Sequence, residues 1–341
     1  MSVIQGLAAH AAGAELLPFR YDPGVLGSNE VEIGITHCGV CHSDLHLISN
    51  DWGNSQYPFI PGHEIIGSVT AVGSEVRSFE PGQRVGLGWH ASSCGQCEWC
   101  MRGMENLCLS AEATCVGRHG GFANRVRANA RFVIPIPEAL PSEQAAPLLC
   151  AGITVYNPLR TNGVNPSSRV GVVGIGGLGH LAIQFARVFG AEVTAFSTSA
   201  KKEEEARELG AHHFVNSRET KAMKEVAGSL DFILSTANAD QEWGTLIHAL
   251  RPTGTLCIVG VPPSPMAIQA FPLISGLRSI TGSPVGSPSM LREMMNVAAL
   301  HGVKAKTERF AMARIVGSWR GRGVPPRDRA GGTERPVWMV G

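Results

Sequence analysis

Charge is what this sequence has least of. Asp, Glu, Lys and Arg make up 17% of its 341 residues, and 29 basic against 28 acidic side chains leave a net charge of +1. No basic field is available to gather phosphate backbones or anionic lipid, which excludes nucleic acid and membrane surfaces as expected partners. A hydrophobic fraction of 44% excludes a disordered chain. Long uninterrupted apolar runs are missing too. The most apolar stretch, Val170 to Ala191, is broken by Gly171, Gly174, Gly176, Gly177 and Gly179 and carries His180, Gln184 and Arg187, so it does not span a bilayer. The first 20 residues place no basic start ahead of an apolar run; no secretory signal is read there, and the cytoplasm is the expected compartment. Cysteines do not pair up either, since nine is odd, and in a reducing compartment clustered thiols read as metal ligands. No repeat at a solenoid period and no low-complexity segment occurs before residue 314.

What is present divides into two textures, as the length suggests. Up to about residue 150, short β-rich runs cut by Gly and Pro (VEIGITHCG, EIIGSVTAVG, QRVGLGW, FANRVRANARFVIPIP) read as all-β. From about residue 151, RVGVVGIGGLGHLAIQFARVFGAEVTAFSTS reads as strand, glycine turn, helix and strand. The alternation continues through helical KKEEEARELGA, strand HHFVN, helical ETKAMKEVAG, strand LDFILSTA, helical QEWGTLIHALRPTG and strand TLCIVGV. A doubly wound parallel sheet follows.

Cys94, Cys97, Cys100 and Cys108 lie in the pattern C-x2-C-x2-C-x7-C. Four thiolates so close suit a closed tetrahedral zinc site, with an iron–sulfur cluster as the rival reading. A second set is dispersed over THCGVCHSDLH, PGHE and LLCAG. Together Cys41, His63 and Cys150 offer two sulfurs and one imidazole, a set that leaves the fourth zinc position open for Lewis-acid chemistry.

In GVVGIGGLGH, Gly174, Gly176, Gly177 and Gly179 occupy a strand-to-helix turn, where absent side chains let a pyrophosphate approach backbone N–H groups. The second strand, EVTAF, arrives at the expected separation. After it come Ser197, Thr198, Ser199, Ala200, Lys201 and Lys202, with no carboxylate to hold a ribose 2′-hydroxyl or repel a 2′-phosphate. NADP(H) is therefore the expected cofactor. Lys201 reads as the start of a solvated helix.

The combination of GVCHSDLH, YPFIPGHE, the four-cysteine lobe, LLCAGITVY and GIGGLGH resembles the zinc-dependent medium-chain alcohol dehydrogenases. Within them it is most similar to the cinnamyl alcohol dehydrogenase and bacterial NADPH-dependent aldehyde reductase branch, up to about Met312. That resemblance implies a GroES-like zinc catalytic domain over residues 1–150, a Rossmann NADP(H)-binding domain over 151–287 and a return to the catalytic domain over 288–341. It also implies a homodimer through the Rossmann sheets and two zinc ions per subunit. Cys41, His63 and Cys150 become the catalytic zinc ligands; Glu64 is either a transient ligand or a carboxylate that only orients one. Lys202 falls at the family's 2′-phosphate lysine. The expected cofactor contacts are Thr154, Gly174, Gly176, Gly177, Leu178, Gly179, Ser197, Thr198, Ser199 and Lys202.

The reaction so implied is reversible reduction of a broad range of aldehydes to primary alcohols. Its proton passes from Ser43 through the nicotinamide ribose to His46 and solvent; the alternative is that Ser43 caps a helix and His46 lies on its surface. Asp44 reads as structural or as orienting a ligand, and His37 and His42 have no assigned role. Cys38, Cys115 and Cys257 match no ligand position and read as buried small hydrophobes. Trp52, Tyr57, Trp89 and Phe271 are candidates for an apolar substrate wall. Other readings are an NAD-linked alcohol or polyol dehydrogenase and a non-catalytic NADP(H)-binding sensor, against which the joint presence of Cys41, Ser43, His46, His63 and Cys150 argues. The sequence departs from the family after about residue 314, where RIVGSWRGRGVPPRDRAGGTERPVWMVG holds six Gly and three Pro. Residues 317–341 are expected to be irregular, leaving a sheet edge exposed.

Overall fold

A computed structural model describes residues 3–312 and 337–340. The chain forms two compact units. One comprises the residues up to Cys150 with Ser287–Leu300 and the chain from Lys304 on; the other comprises Ala151–Gly286 with His301–Val303.

In the first unit, strands Glu308–Ala311, Val337–Val340, Glu30–Val40, Glu64–Val72, Arg84–Leu87 and Val133–Pro135 form one sheet in that order, and Arg125–Asn129 also pairs with Glu30–Val40. Most pairings are antiparallel. The long strand Glu30–Val40 is buried on both faces over much of its length, so its sequence reads as nearly continuous Val, Ile and small residues. Its buried side chains Val31, Ile33, Ile35 and Cys38 join Ile65, Val69, Val85, Leu87, Phe122 and Phe132 in one core.

The end of this sheet corrects a sequence expectation. Val337–Val340 is a strand, parallel to Glu30–Val40 with Val337 opposite His37 and Val340 opposite Val40, and antiparallel to Glu308–Ala311. The edge expected to be exposed is therefore paired. Within a segment dominated by Gly, Pro and Arg, the run Val-Trp-Met-Val still has strong strand preference. The expected irregularity of residues 313–336 lies outside the described residues.

The second unit contains six parallel strands in the order His213–Asn216, Glu192–Ser197, Arg169–Val173, Leu230–Ser235, Leu250–Ile258 and Ser279–Gly282. Chain order reverses between Arg169–Val173 and Leu230–Ser235, and a crevice at the carboxyl ends of such strands is where doubly wound sheets bind ligands. The helix expected to run to Gly254 ends earlier, since Trp243–Ala249 is helical and strand begins at Leu250. Pro252 cannot donate to a continuing helix, and Thr253 sits at φ 68°. The strand absorbs this with a register shift between Leu230 and Phe232 of its neighbour.

Candidate active site

Three separate segments bring Cys41, His63, Glu64 and Cys150 together, with one donor atom of each within 4.8 Å of the others. Cys41 ends the strand side of a turn and is the N-cap of helix His42–Ser49; its Sγ accepts from the Ser43 N–H. A helix N-terminus favours negative charge, so the cap position suits a thiolate. His63 and Glu64 lead into strand Glu64–Val72, and Cys150 follows a short 3₁₀ turn, Pro147–Leu149. Cys41 Sγ is 4.0 Å and His63 Nε2 is 3.2 Å from Cys150 Sγ.

Asp44 ties these segments together. It is fully buried, and Oδ2 accepts from the Cys41 N–H at 2.9 Å while Oδ1 accepts from the Gly62 N–H at 2.9 Å and faces His63 Nδ1 at 3.1 Å. The carboxylate thus fixes the Nδ1–H tautomer of His63 and leaves the Nε2 lone pair facing the sulfurs, free to ligate a metal. Sequence reasoning left Asp44 as structural or as orienting a ligand, and its contact with His63 fits the second. Its signal is local, since it stands three residues after a cap and completes a capping box. Gly39 is opposite Glu64 across the two strands, and a Cβ there would collide with the Glu64 carboxylate. The glycine makes the space in which Glu64 is buried.

The charge balance of this cluster suits a dication. Burial, then the Cys41 sulfur, pushes the Glu64 carboxyl well up. Burial opposes a proton on His63, yet Asp44 and Cys150 together hold its pKa well above the ordinary value. Cys41 and Cys150 face the imidazole together with the carboxylates of Glu64 and Asp44, and two soft sulfurs with one nitrogen are zinc donors. Cys115, expected to be an inert small hydrophobe, is buried within reach of Asp44 and His63. Burial raises its thiol pKa and keeps it neutral. Cys38 and Cys257 are buried as expected.

The second cluster, Cys94, Cys97, Cys100 and Cys108, also gathers its sulfurs within 4.8 Å. Cys97 caps the short helix Glu98–Met101, Cys100 lies inside it, and Cys108 follows the 3₁₀ turn Glu105–Leu107. The backbone N–H groups of Gln96 and Cys97 pull the Cys94 thiol down to about 6. Four sulfurs with no carboxylate or imidazole fit a closed zinc site.

Around the first cluster, helix His42–Ser49 places both Ser43 and His46. Ser43 follows the cap instead of being it, and His46 is half-buried with Nδ1 2.7 Å from Asp51 Oδ2. The Asp51 contact was not read from the sequence. The ring of Trp52 stacks on His46 at 5.2 Å, Trp89 meets His63 edge-on at 4.8 Å, and the two indoles are 6.2 Å apart. Tyr57 instead donates its hydroxyl to the Ile48 carbonyl, and Phe271, in the other unit, is exposed.

In the second unit, the glycine turn follows strand Arg169–Val173. Gly174 adopts φ 89° and donates to the Phe196 carbonyl, and a Cβ on Gly179 would collide with the Gly174 carbonyl, so strand and helix need these glycines to meet. No side chain caps the N-terminus of helix Gly179–Val188 at Leu178. A Cβ on Gly176 would meet nothing within 4 Å, and this open turn before an uncapped helix end forms an anion cradle. Ser197 ends the next strand, its Oγ accepting from the Ser199 N–H at 3.2 Å; Thr198 and Ser199 are exposed. Lys202 Nζ is 2.6 Å from Glu205 Oε2, a half-buried pair that an incoming phosphate can compete for. Thr154 lies on helix Ala151–Thr161 of the same unit.

The chain matches the alcohol dehydrogenase GroES-like domain over residues 27–138 and the zinc-binding dehydrogenase family over residues 177–299. An aldehyde reductase from Synechocystis sp. is 47% identical over 313 residues, 92% of this chain and 93% of that protein. A cinnamyl alcohol dehydrogenase from Sorghum bicolor superposes with a TM-score of 0.86 at 40% identity, covering 89% of this chain and 90% of that one. A CAD from Helicobacter pylori complexed with NADP(H) gives 0.83 at 32% identity, with the same coverage of 89% and 90%.

Proposed function

The chain belongs to the zinc-dependent medium-chain alcohol dehydrogenases, and from that premise we propose that it reduces aldehydes to primary alcohols, reversibly, with NADPH as hydride donor. The observation that carries this reading is the buried convergence of Cys41, His63, Glu64 and Cys150. Cys41, His63 and Cys150 hold the catalytic zinc, with Glu64 beside them, and Cys94, Cys97, Cys100 and Cys108 hold a structural one. Gly174, Gly176, Gly177, Leu178 and Gly179 receive the pyrophosphate, Ser197, Thr198, Ser199 and Lys202 the 2′-phosphate, and Thr154 a further part of the cofactor. When bound, zinc supplies Lewis acidity at the carbonyl oxygen and NADPH supplies the hydride.

The protein's own residues set the remaining conditions. Asp44 accepts from His63 Nδ1–H and so keeps Nε2 available. The Ser43 hydroxyl, on the first turn of its helix, donates the proton that the reduced oxygen needs, and His46 restores it from solvent while Asp51 orients the ring through Nδ1. Trp89 and Trp52 restrict water on the side of His63 and His46. The absence of Asp or Glu at residues 197–202 favours NADPH over NADH, since a carboxylate there would repel the 2′-phosphate.

The edge strand Ser279–Gly282 and the exposed Phe271, Ile274 and Leu277 just before it support a homodimer through the Rossmann sheets. Among the described residues no helix is long and apolar enough to cross a membrane, and a cytoplasmic location is proposed on the thiol-rich composition. The test is initial rates with NADPH and NADH across aliphatic, aromatic and sugar carbonyls, with zinc analysis on the same sample. NADPH is expected to be faster at limiting concentration with two zinc ions per chain. Faster turnover with NADH, or full activity with one zinc, contradicts the proposal.

A further inference from the structure

His180 is the first residue after the last glycine of the turn, and it is 4% exposed. Its ring is turned back onto that turn. Nδ1 lies 3.1 Å from the Gly176 carbonyl oxygen, which also accepts from the His180 backbone N–H at 3.0 Å. A carbonyl only accepts, so Nδ1 carries the proton. The His180 carbonyl accepts in turn from Gln184 Nε2 at 3.0 Å, within the same helix.

The consequence follows from peptide geometry. In a planar trans peptide the carbonyl of one residue and the N–H of the next point in opposite directions. Two donors hold the Gly176 carbonyl toward the helix, so the Gly177 N–H is aimed away from it, in a turn open enough that a Cβ on Gly176 would meet nothing within 4 Å. Glycine has no side chain to fix this peptide plane, and a Gly-Gly peptide is free to flip. We propose that His180 is a positioning residue that locks the Gly176–Gly177 peptide so that the Gly177 N–H is presented to the cofactor's pyrophosphate. This rests on the reading of the glycine turn as the NADP(H) cradle. The imidazole does not touch the ligand; it removes the entropy cost of ordering the turn when the ligand arrives.

The test compares two ligands of the purified protein. NADP+ carries the pyrophosphate, and adenosine 2′-monophosphate carries the 2′-phosphate without it; both are titrated calorimetrically against the wild type, His180→Ala and His180→Asn. His180→Ala is expected to weaken NADP+ about tenfold, the effect of one lost positioning hydrogen bond, and to leave adenosine 2′-monophosphate unchanged. His180→Asn, whose amide can donate from nearly the same place, is expected to recover most of the loss. Unchanged NADP+ affinity in His180→Ala overturns the proposal, as does an equal loss for both ligands. The 15N shifts of the wild-type ring give a readout independent of any variant: an Nε2–H tautomer overturns it. Failure of the wild type to bind NADP+ at all would instead defeat the cofactor reading.

Discussion

The two sulfur clusters share one unit and are built on opposite plans. Cys94, Cys97, Cys100 and Cys108 come from one stretch of fifteen residues, Cys94 is exposed, and no carboxylate joins them. Cys41, His63, Glu64 and Cys150 come from three distant segments and are largely buried, and their geometry depends on Asp44 bonding two of those segments at once. A loop that closes on itself costs little chain entropy and needs little help from the rest of the fold. A cluster assembled across the fold is only as accurate as the packing around it, which also lets it keep a position open for chemistry.

The strongest way to break this contrast is Cys41→Ala. Activity is expected to fall by at least about a thousandfold with loss of one zinc, while the lobe keeps its own; metal analysis showing both ions gone would join the two clusters into one system. Asp44→Ala comes next. It strands the buried donors at Cys41, Gly62 and His63, so roughly 3 kcal/mol or more of stability should go, with metal affinity at the first cluster down about 10- to 100-fold. Denaturant titration and zinc competition measure the two effects, and a near-neutral outcome would mean the segments hold without it. Cys97→Ser should lower the thermal midpoint and release the lobe's zinc with only a modest change in KM; an inactive but fully folded variant would tie the lobe to the chemistry. The smallest effect is kinetic. With metal removed, iodoacetamide should alkylate Cys94 first, because it is exposed and its thiol is pulled down to about 6, and mass spectrometry should find Cys150 protected at that stage.

Legibility in the sequence follows the same division. That the lobe's four cysteines meet was readable from spacing because its geometry is local, though spacing left zinc and an iron–sulfur cluster open; the glycine turn, where strand, Gly174 and helix are contiguous, was readable too. Cys41, His63 and Cys150 were joined by the chemistry of the donor set and by resemblance, not by spacing, since nothing in single-chain periodicity says that residues 22 and 109 positions away from Cys41 will meet it. Asp44, Asp51 and Gly39 owe their roles to partners brought in by tertiary structure: Gly62 and His63, His46, and Glu64. The short strand Val337–Val340 was missed because composition over a long window outweighed four residues within it. The end of helix Trp243–Ala249 was misplaced because Leu250 continues the apolar pattern while its backbone already pairs with Leu230.

That late strand has a consequence for synthesis. Glu30–Val40, which delivers the chain to Cys41, pairs with Glu64–Val72 and with Arg125–Asn129 over residues 30–34, while residues 37–40 also pair with Val337–Val340. A ribosome adding about 5 to 20 residues per second makes the first two partners within seconds and the third only after the whole nucleotide-binding unit has emerged. For that interval the end of the strand beside the ligand cysteine has an open edge, and non-local pairing of this kind is slow to form and exposed to wrong partners. Pairing beside Cys41 is completed only when Val337–Val340 is made, so a nascent chain stalled after residue 312 should engage chaperones even though it already contains every proposed zinc ligand.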